Sequence, residues 1–240
     1  MRALFNILCT PCHEPALTVL SELMDPDTVD HYDKKAKQFE ELYRKALQAP
    51  YHKLLEKWLK PPGGCGKSGC PEITRVLEIG CGIGLDAYYM ACTLGLDVTA
   101  ADASRQMLEI AASSAPGSAG SKIKYINASF PLEPGSTLLD EKFDAVVASA
   151  VIMHIPDNEV QDFIRQGGKM LNKKGVFICS FCYSRPGVPD DPRLFKDRSP
   201  QDLRLLFEGS GFSLLDREES PDSLGRPIKW STMIFTKNSF

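Results

Sequence analysis

The sequence predicts an α/β fold built on a doubly wound, mostly parallel sheet with helices on both faces. From residue 72 onward, short apolar segments alternate with helical patterns, as in parallel strands joined by crossover helices. Apolar strands joined in this way are typical of a parallel sheet that is covered on both faces. At 240 residues, with 43% hydrophobic and 25% charged residues, the chain is long enough to bury such a core.

Each element of this fold has its own signal in the sequence. The strand patterns are 75-RVLEIG-80, 97-DVTAAD-102, 123-IKYINA-128, 143-FDAVVASA-150 and 175-GVFICSF-181, with two more near 212–218 and 229–237. The helical patterns are 85-LDAYYMACTLG-95, 104-SRQMLEIAASSA-115, 157-DNEVQDFIRQGGKMLNK-173 and 200-PQDLRLLFEGSGF-212. Between them, the prolines of 183–199 disfavour regular structure, so we expect an active-site loop there.

Residues 1–60 are predicted to form an N-terminal helical cap or lid over the main domain. Between residues 27 and 60 apolar side chains recur at helical spacing, with Lys and Glu between them. This pattern predicts one or two amphipathic helices, and either Asp27 or Thr28 is placed to cap the first of them.

A linker rich in Pro and Gly, residues 61–71, is predicted to separate this cap from the main domain at 72–240. It contains Gly66-Lys67-Ser68, the ending of a phosphate-binding P-loop. A P-loop also needs a glycine at the place of Pro61 and a strand before it, and the preceding segment is helical instead. We therefore interpret 61–71 as a linker and not as a nucleotide site.

Composition and charge exclude several classes of function. The net charge is −3 and the isoelectric point is about 5.9, so the chain lacks the basic balance of a nucleic-acid-binding protein, and nucleic acid is an unlikely partner. No apolar run reaches the length of a membrane span, and the first twelve residues make a poor secretion signal. A cytoplasmic location without membrane association is therefore the default prediction.

The eight cysteines do not predict a disulfide framework in a reducing compartment. The segment 9-CTPCH-13 has the spacing of a haem attachment site, but that chemistry would need export. A zinc site made by Cys9, Cys12, Cys65 and Cys70 is the alternative to our prediction of no metal. The other four, which lie in apolar patterns, are predicted to be buried: Cys81, Cys92, Cys179 and Cys182.

The segment 76-VLEIGCGIGLDA-87 carries the clearest functional signal. After the first strand of a doubly wound sheet, glycines allow the backbone to approach a ligand, and Gly80, Gly82 and Gly84 fit that role. A dinucleotide fingerprint would have a glycine at position 85, where the sequence has Leu. In addition, Asp86 would put a carboxylate where a pyrophosphate sits. The loop therefore favours a cofactor without phosphates.

The run Glu78-Ile-Gly-Cys-Gly-Ile-Gly84 resembles the first motif of class I S-adenosylmethionine-dependent methyltransferases. Further segments resemble the later motifs of this family, in family order: 98-VTAADASRQMLEIA-111, 144-DAVVASAVIMHI-155 and 169-KMLNKKGVFICSF-181. The resemblance covers roughly residues 72 to 237 and is to the small-molecule branch. It implies a seven-stranded sheet closed by an antiparallel C-terminal hairpin. It also implies S-adenosyl-L-methionine as cofactor and S-adenosyl-L-homocysteine as product.

The resemblance also implies site residues. Asp102 holds the place of the acidic residue that takes both ribose hydroxyls, and Glu78 is expected near the methionyl ammonium or as a support of the glycine loop. Ser129 stands where the family commonly has an aspartate for the adenine amino group, so Asn127 or a backbone carbonyl is an alternative there. The full predicted cofactor set is Tyr32, Glu78, Gly80, Cys81, Gly82, Gly84, Asp102, Ala103, Met107, Ser129 and Ser149.

Methyl transfer from a sulfonium requires alignment, and it requires a base only if the acceptor carries a proton that must leave. His154 is the candidate base, with a structural role as the alternative. The segment 149-SAVIMH-154 lacks the motifs of methylases that act on base amines or on cytosine carbon. The leading prediction is methyl transfer to an O, N or C atom of a small molecule. The alternatives are a protein or peptide methyltransferase and a non-catalytic cofactor-binding module.

Overall fold

A computed structural model describes residues 25–46, 48–60, 72–114, 122–186 and 191–238. The helices are α1 (Pro26–Tyr43), α2 (Ala49–Leu59), α3 (Leu85–Cys92), α4 (Arg105–Ser114), α5 (Val160–Met170) and α6 (Pro200–Gly209). The strands are β1 (Arg75–Ile79), β2 (Asp97–Asp102), β3 (Ile123–Asn127), β4 (Phe143–Ser149), β5 (Leu171–Ser184), β6 (Phe212–Pro221) and β7 (Lys229–Lys237). Short 3-10 helices lie at Thr137–Asp140 and Ile152–His154.

The seven strands form one sheet in the order β3-β2-β1-β4-β5-β7-β6. Strands β1 to β5 are parallel, whereas β7 runs antiparallel to both of its neighbours, β5 and β6. The predicted α/β class, the mostly parallel sheet and the antiparallel C-terminal hairpin are thus confirmed. The strand order reverses between β1 and β4, and in such sheets this is the point at which ligands bind.

Alternation along the strands builds a separate core on each face of the sheet. In β1, Leu77 and Ile79 pack in the core that contains Phe163 of α5, whereas Val76 packs in the core that contains Leu55 of α2. The side chain of Glu78 alternates with Leu77 and Ile79, so a carboxyl group stands on the face that α2 and α3 cover. This places one acidic group inside the sheet, near the carboxyl ends of the strands.

The two N-terminal helices pack in different places. Helix α2 buries Leu54, Leu55 and Leu59 in the core beside α3, whereas α1 packs through Ala36 against Met107 and Ile110 of α4. Helix α1 therefore covers the strand ends as a lid would, and the domain boundaries stay a prediction. Residues 1–24 and the predicted linker 61–71, with Cys9, Cys12, Cys65, Cys70 and the P-loop lookalike, lie outside the described residues.

Two local predictions are wrong. Helix α1 begins before Asp27, because the Asp25 carboxylate accepts the Thr28 N–H at 2.9 Å and Pro26 fits the first helical position. Among the cysteines predicted to be buried, Cys92 is exposed, since it is the last residue of α3 and follows the buried Met90 and Ala91. The described helices include none that is long and apolar enough to cross a bilayer.

Candidate cofactor and substrate site

A cavity of about 360 Å³ lies at the carboxyl ends of β1, β2, β4 and β5, under α1. The segment 191–195 and the turn between β6 and β7 form its other walls. Most of the predicted site residues line it: Tyr32, Glu78, Gly80, Cys81, Gly82, Asp102, Ala103, Met107, Ser149 and His154. Gly84 and Ser129 are not among the lining residues.

The glycine loop is shaped by backbone conformations that glycine favours. Gly80 and Gly82 have φ angles of 71° and 53°. A Cβ on Gly80 would come within 2.3 Å of Val151, whereas a Cβ on Gly82 would meet nothing within 4 Å. The backbone at Gly82 therefore faces open space in the cavity. Gly84 instead allows close helix packing, because a Cβ there would lie 2.9 Å from the Cβ of Ala111 in α4.

Asp102, at the end of β2, connects the glycine loop to α4. Its Oδ2 accepts the Gly82 N–H at 2.7 Å and its Oδ1 accepts the Ser104 N–H at 2.8 Å. Burial raises the pKa of Asp102 to about 6, although these two hydrogen bonds favour the charged form. The carboxylate is thus ionised at neutral pH, and each oxygen keeps a lone pair for a ligand hydroxyl.

Glu78 presents an unsatisfied buried oxygen to the same cavity. Its side chain is buried, and its Oε2 has no hydrogen-bond partner among the described residues. Burial, followed by the nearby charges of Asp86 and Asp102, raises the pKa of Glu78 well above its usual value. A cationic ligand group at this place would satisfy the oxygen and favour the ionised carboxylate, which would otherwise be costly.

Part of the cavity wall is apolar. It is lined by Ala103, Met107, Ala128 and Phe130, and Met107 is also part of the core under α1. Ser129, between two lining residues, stays outside the cavity wall. Asn127 donates its amide N–H groups to the carbonyls of Asp102 and Ala103, so it supports the loop after β2.

Helix α1 is hydrogen-bonded to both sides of the cavity. On one side, Asp33 accepts from the Ser104 hydroxyl at 2.6 Å and from the Gln106 N–H at 3.1 Å. On the other side, the Thr28 hydroxyl accepts the Leu194 N–H at 2.7 Å. These contacts hold α1 across the cavity. The 191–195 segment belongs to 183–199, where the sequence predicts an active-site loop, whereas Asp33 was not identified from the sequence as part of the site.

His154 is buried in the cavity wall, where it forms a hydrogen-bonded chain with Tyr32. Its Nδ1 lies 2.6 Å from the Leu194 carbonyl, which can only accept, so Nδ1 carries the proton and Nε2 is an acceptor. The Tyr32 hydroxyl lies 3.2 Å from Nε2 and accepts from Arg193 at 2.7 Å, which leaves its own proton for Nε2. Burial lowers the pKa of His154 to about 4. The imidazole is therefore neutral at pH 7.

The turn that presents His154 is held by a buried arginine. Arg198 donates to the carbonyls of Ile152 and Ile155, each at 2.7 Å, and to Asp157 at 2.6 Å. Ahead of this turn, Ala150 adopts a φ of 58°, a conformation that non-glycine residues rarely take and that is enriched at functional sites. Both features shape the cavity wall directly after β4.

A second half of the cavity, which we call the distal pocket, is lined by Met153, Cys182, Phe195, Ile228 and Trp230 together with Arg185. The turn after β6 closes it, because Asp222 accepts from the Trp230 indole N–H at 2.9 Å and from Arg226. The sequence indicated only the 183–199 part of this pocket, since its other residues come from distant segments. In the described ranges, no group of three or more Asp, Glu, His or Cys side chains could hold a metal ion.

The strand order, the glycine loop after β1 and the acidic residue that ends β2 define a class I S-adenosylmethionine-dependent methyltransferase fold. A family model described as a methyltransferase domain matches residues 76–175. The match begins in β1 and ends in β5.

Comparison with curated proteins gives relatives of part of the chain. The ubiquinone biosynthesis O-methyltransferase of Pelagibacter ubique is 34% identical over 105 residues, which are 43% of this chain and 40% of that protein. The chain thus aligns with about two fifths of the length of the curated relatives it matches.

Solved structures share the fold over most of the chain. The 1,6-didemethyltoxoflavin-N1-methyltransferase of Burkholderia thailandensis, with bound 1,6-didemethyltoxoflavin and S-adenosylhomocysteine, has a TM-score of 0.67 at 17% identity and covers 89% of this chain and 88% of its own. The magnesium protoporphyrin IX methyltransferase of Synechocystis PCC 6803, with bound S-adenosylmethionine, has a TM-score of 0.64 at 18% identity, with coverages of 90% and 98%. At such identities the likeness concerns the fold.

Proposed function

We propose that the protein transfers the methyl group of S-adenosylmethionine to a small-molecule acceptor. One observation carries this proposal: Gly82, Asp102 and the unpartnered Oε2 of Glu78 face one cavity. The Asp102 carboxylate can accept from the two ribose hydroxyls of this cofactor, and the buried Glu78 carboxyl group can bind its ammonium. Gly82 leaves open space for the ligand between them. The matched family and the fold support the same assignment.

The residues fit the cofactor from one end to the other. Asp102 binds the ribose hydroxyls, Ala103 and Met107 contact the adenine, and Glu78 binds the ammonium. When bound, the cofactor supplies an electrophilic methyl group on a positively charged sulfur. The chain contributes alignment of the acceptor and exclusion of water, because in-line transfer needs no covalent intermediate on the protein.

An enclosed site supports a small acceptor over a peptide. Helix α1 covers the cavity and is bonded to both of its sides, through Asp33 and through Thr28. The distal pocket continues from the cofactor half, between the turn that carries His154 and the β6–β7 turn. A peptide would need a groove open at two ends, whereas this arrangement surrounds a compact molecule.

We assign His154 and Tyr32 to proton removal for acceptors that carry a proton. The neutral Nε2 of His154 is an acceptor, and the Tyr32 hydroxyl lies between it and Arg193. An acceptor hydroxyl that donates its proton to the Tyr32 oxygen allows the phenolic proton to move to Nε2. A lone pair of the deprotonated acceptor oxygen then forms the bond to the methyl carbon, while the bond from that carbon to sulfur breaks and leaves its electron pair on the sulfur of S-adenosylhomocysteine. The imidazolium returns its proton to water after product release.

The first test is calorimetric titration of the protein with S-adenosylmethionine and S-adenosylhomocysteine. We expect micromolar binding that weakens about 10- to 100-fold in Asp102→Ala, as expected when hydrogen bonds to a charged group are lost. Asp97→Ala is the matched control, because Asp97 begins the same strand and is exposed. Failure of the wild type to bind either ligand, or equal weakening in both variants, would contradict the proposal. Acceptor-dependent formation of S-adenosylhomocysteine then separates an enzyme from a non-catalytic binder.

A further inference from the structure

The distal pocket contains an arginine whose charge is not matched by the carboxylates around it. Among the described residues, three arginines line this side of the cavity, Arg185, Arg193 and Arg226, and the two carboxylates in contact with them are Asp191 and Asp222. Three cations against two anions leave one positive charge in excess among these groups.

Two of the three arginines are fully engaged. Arg193 donates from Nε and Nη2 to Asp191, at 2.8 and 2.5 Å, and Arg226 donates in the same way to Asp222, at 2.9 and 2.8 Å. Burial alone would raise the pKa values of both aspartates, but the hydrogen bonds from the arginines lower each pKa to about 2. Both pairs are therefore ionised and mutually neutralised at neutral pH.

Arg185 has no such partner among the described residues. Its nearest carboxylate oxygen, Asp191 Oδ2, lies 4.0 Å from Nη2, beyond hydrogen-bond distance, and already binds Arg193. Only 15% of its side chain is exposed, so little bulk water compensates for the missing acceptor. The guanidinium carbon lies 3.4 Å from the ring centroid of Phe195. The ring thus holds the group in place and leaves its N–H donors for a ligand.

The surroundings of Arg185 indicate what such a ligand looks like. The remaining walls of the distal pocket are apolar or aromatic, and the Phe195 ring also contacts the His154 ring, with 4.6 Å between centroids. An anion bound by Arg185 would therefore place its apolar body along Phe195, with the far end at His154. A guanidinium binds a carboxylate or a phosphate through two parallel hydrogen bonds.

The carboxylate of the cofactor is a poor candidate for this place. Its ammonium and carboxylate are attached to one carbon atom, and the group proposed to bind the ammonium, Glu78, is on β1. Arg185 follows β5, which is two strands away in the order β1-β4-β5, a separation of about 10 Å. The excess positive charge therefore belongs to the acceptor half of the cavity.

We infer that Arg185 is a specificity-determining residue and that the methyl acceptor is an organic anion, in which a carboxylate or phosphate is attached to a flat apolar body. This inference rests on the proposed methyltransferase function and narrows its substrate class. Arg185 binds the anion and thereby directs the other end of the acceptor toward His154 and the cofactor.

The test uses pairs of related probes in which only one member carries an anionic group. Hydroxybenzoic and hydroxycinnamic acids are compared with their methyl esters, and phenyl phosphate is compared with phenol, by calorimetric titration in the presence of saturating S-adenosylhomocysteine. We expect the charged member of a pair to bind about 10- to 100-fold more tightly. Arg185→Met should abolish this preference and Arg185→Lys should restore part of it. The control, Arg105→Met, changes an exposed arginine on α4 and should leave the preference unchanged. Preference for the acids alone or for the phosphate alone identifies the anion.

Several results would overturn the inference, and they are distinguishable from failure of the proposed function. If the wild type binds no S-adenosylhomocysteine, the proposed function fails and the inference fails with it. If it binds S-adenosylhomocysteine but shows no preference for the charged probes, including the case in which none binds, only the inference fails. If Arg185→Met weakens S-adenosylhomocysteine as strongly as it weakens the acids, Arg185 binds the cofactor carboxylate instead.

Discussion

The ionisation of Asp102 gives the sharpest quantitative prediction for the cofactor site. Burial raises the pKa of this carboxyl group to about 6, and a ribose diol needs the ionised form, because only a carboxylate can accept from both hydroxyls while it holds two backbone N–H groups. Lowering the pH from 7 to 5 should therefore weaken the binding of a ligand that carries an adenosyl ribose.

The magnitude follows from the pKa. With a pKa of about 6 the carboxyl group is about 90% ionised at pH 7 and about 9% ionised at pH 5, so the dissociation constant should rise about tenfold. The probe is 5′-methylthioadenosine, which has the ribose but lacks the amino acid portion and so does not report on Glu78. Burial lowers the pKa of His154 to about 4, so His154 stays largely neutral over this range.

The assay is calorimetric titration at several pH values between 5 and 7.5, with heats corrected for buffer ionisation. Asp102→Asn should bind weakly throughout and show no pH dependence in this interval, whereas Asp97→Asn should behave like the wild type. A dissociation constant that changes less than twofold between pH 7 and pH 5 would refute the reasoning. So would an equal slope in Asp102→Asn, because the titrating group would then be another residue.

Two further predictions concern the backbone around the site. Gly80→Ala should lower the free energy of unfolding by about 2–5 kcal/mol, since it adds a Cβ 2.3 Å from Val151 at a φ of 71°. The control, Gly211→Ala, has a φ of 86° and open space around the new Cβ, and it should cost only about 1 kcal/mol. Equal costs in urea unfolding would show that the contact with Val151 is unimportant. Arg198→Lys should lower the free energy of unfolding by about 2–3 kcal/mol, because the buried carbonyls of Ile152 and Ile155 lose hydrogen-bond donors. Arg204→Lys, an exposed helical control, should lower it by less than about 0.5 kcal/mol in the same assay.

The centre of the sheet could be predicted from the sequence because β1, β2, β4 and β5 are largely buried on both faces, which leaves apolar runs that are easy to identify. Boundaries were less accurate where packing and pairing extend an element beyond its apolar part. Strand β5 begins at Leu171, where Leu171 pairs with Phe143, although the apolar run starts near residue 175. Strand β6 continues to Pro221 through polar residues, because β7 supplies backbone partners along its whole length.

The cofactor half was predictable because its chemistry is local. The glycine loop and Asp102 occur within about thirty residues, at positions that the strand pattern fixes, and the structure brings them to one cavity. Ser129 is the exception among the predicted residues that follow β2, since alignment with a motif does not determine which of three neighbouring side chains, 128, 129 or 130, turns inward. Ala128 and Phe130 line the cavity instead.

The proposed acceptor half could be predicted only in part: the sequence indicated an active-site loop at 183–199, but no single segment carries the charge balance of the pocket. Arg185 is significant only because Asp191 is already bound to Arg193, and that pairing depends on how the segment after β5 folds against α1. Sequence spacing records neither the pairing nor the resulting excess charge. The charge balance of a pocket is a property of tertiary structure. The net charge of the whole chain is −3, which is opposite in sign to the excess charge in the distal pocket.

Helix α1 connects the two halves physically, and this determines which variants can separate them. It is bonded to the cofactor side through Asp33 and to the acceptor side through Thr28 and Tyr32. A variant that loosens α1 therefore exposes both ligands to water, and its effect on turnover would not identify the group responsible. Asp102 and Arg185 each lie in one half of the cavity and outside α1. If the cavity is divided between cofactor and acceptor as proposed, Asp102→Ala should weaken nucleoside binding more than anion binding, and Arg185→Met should do the reverse.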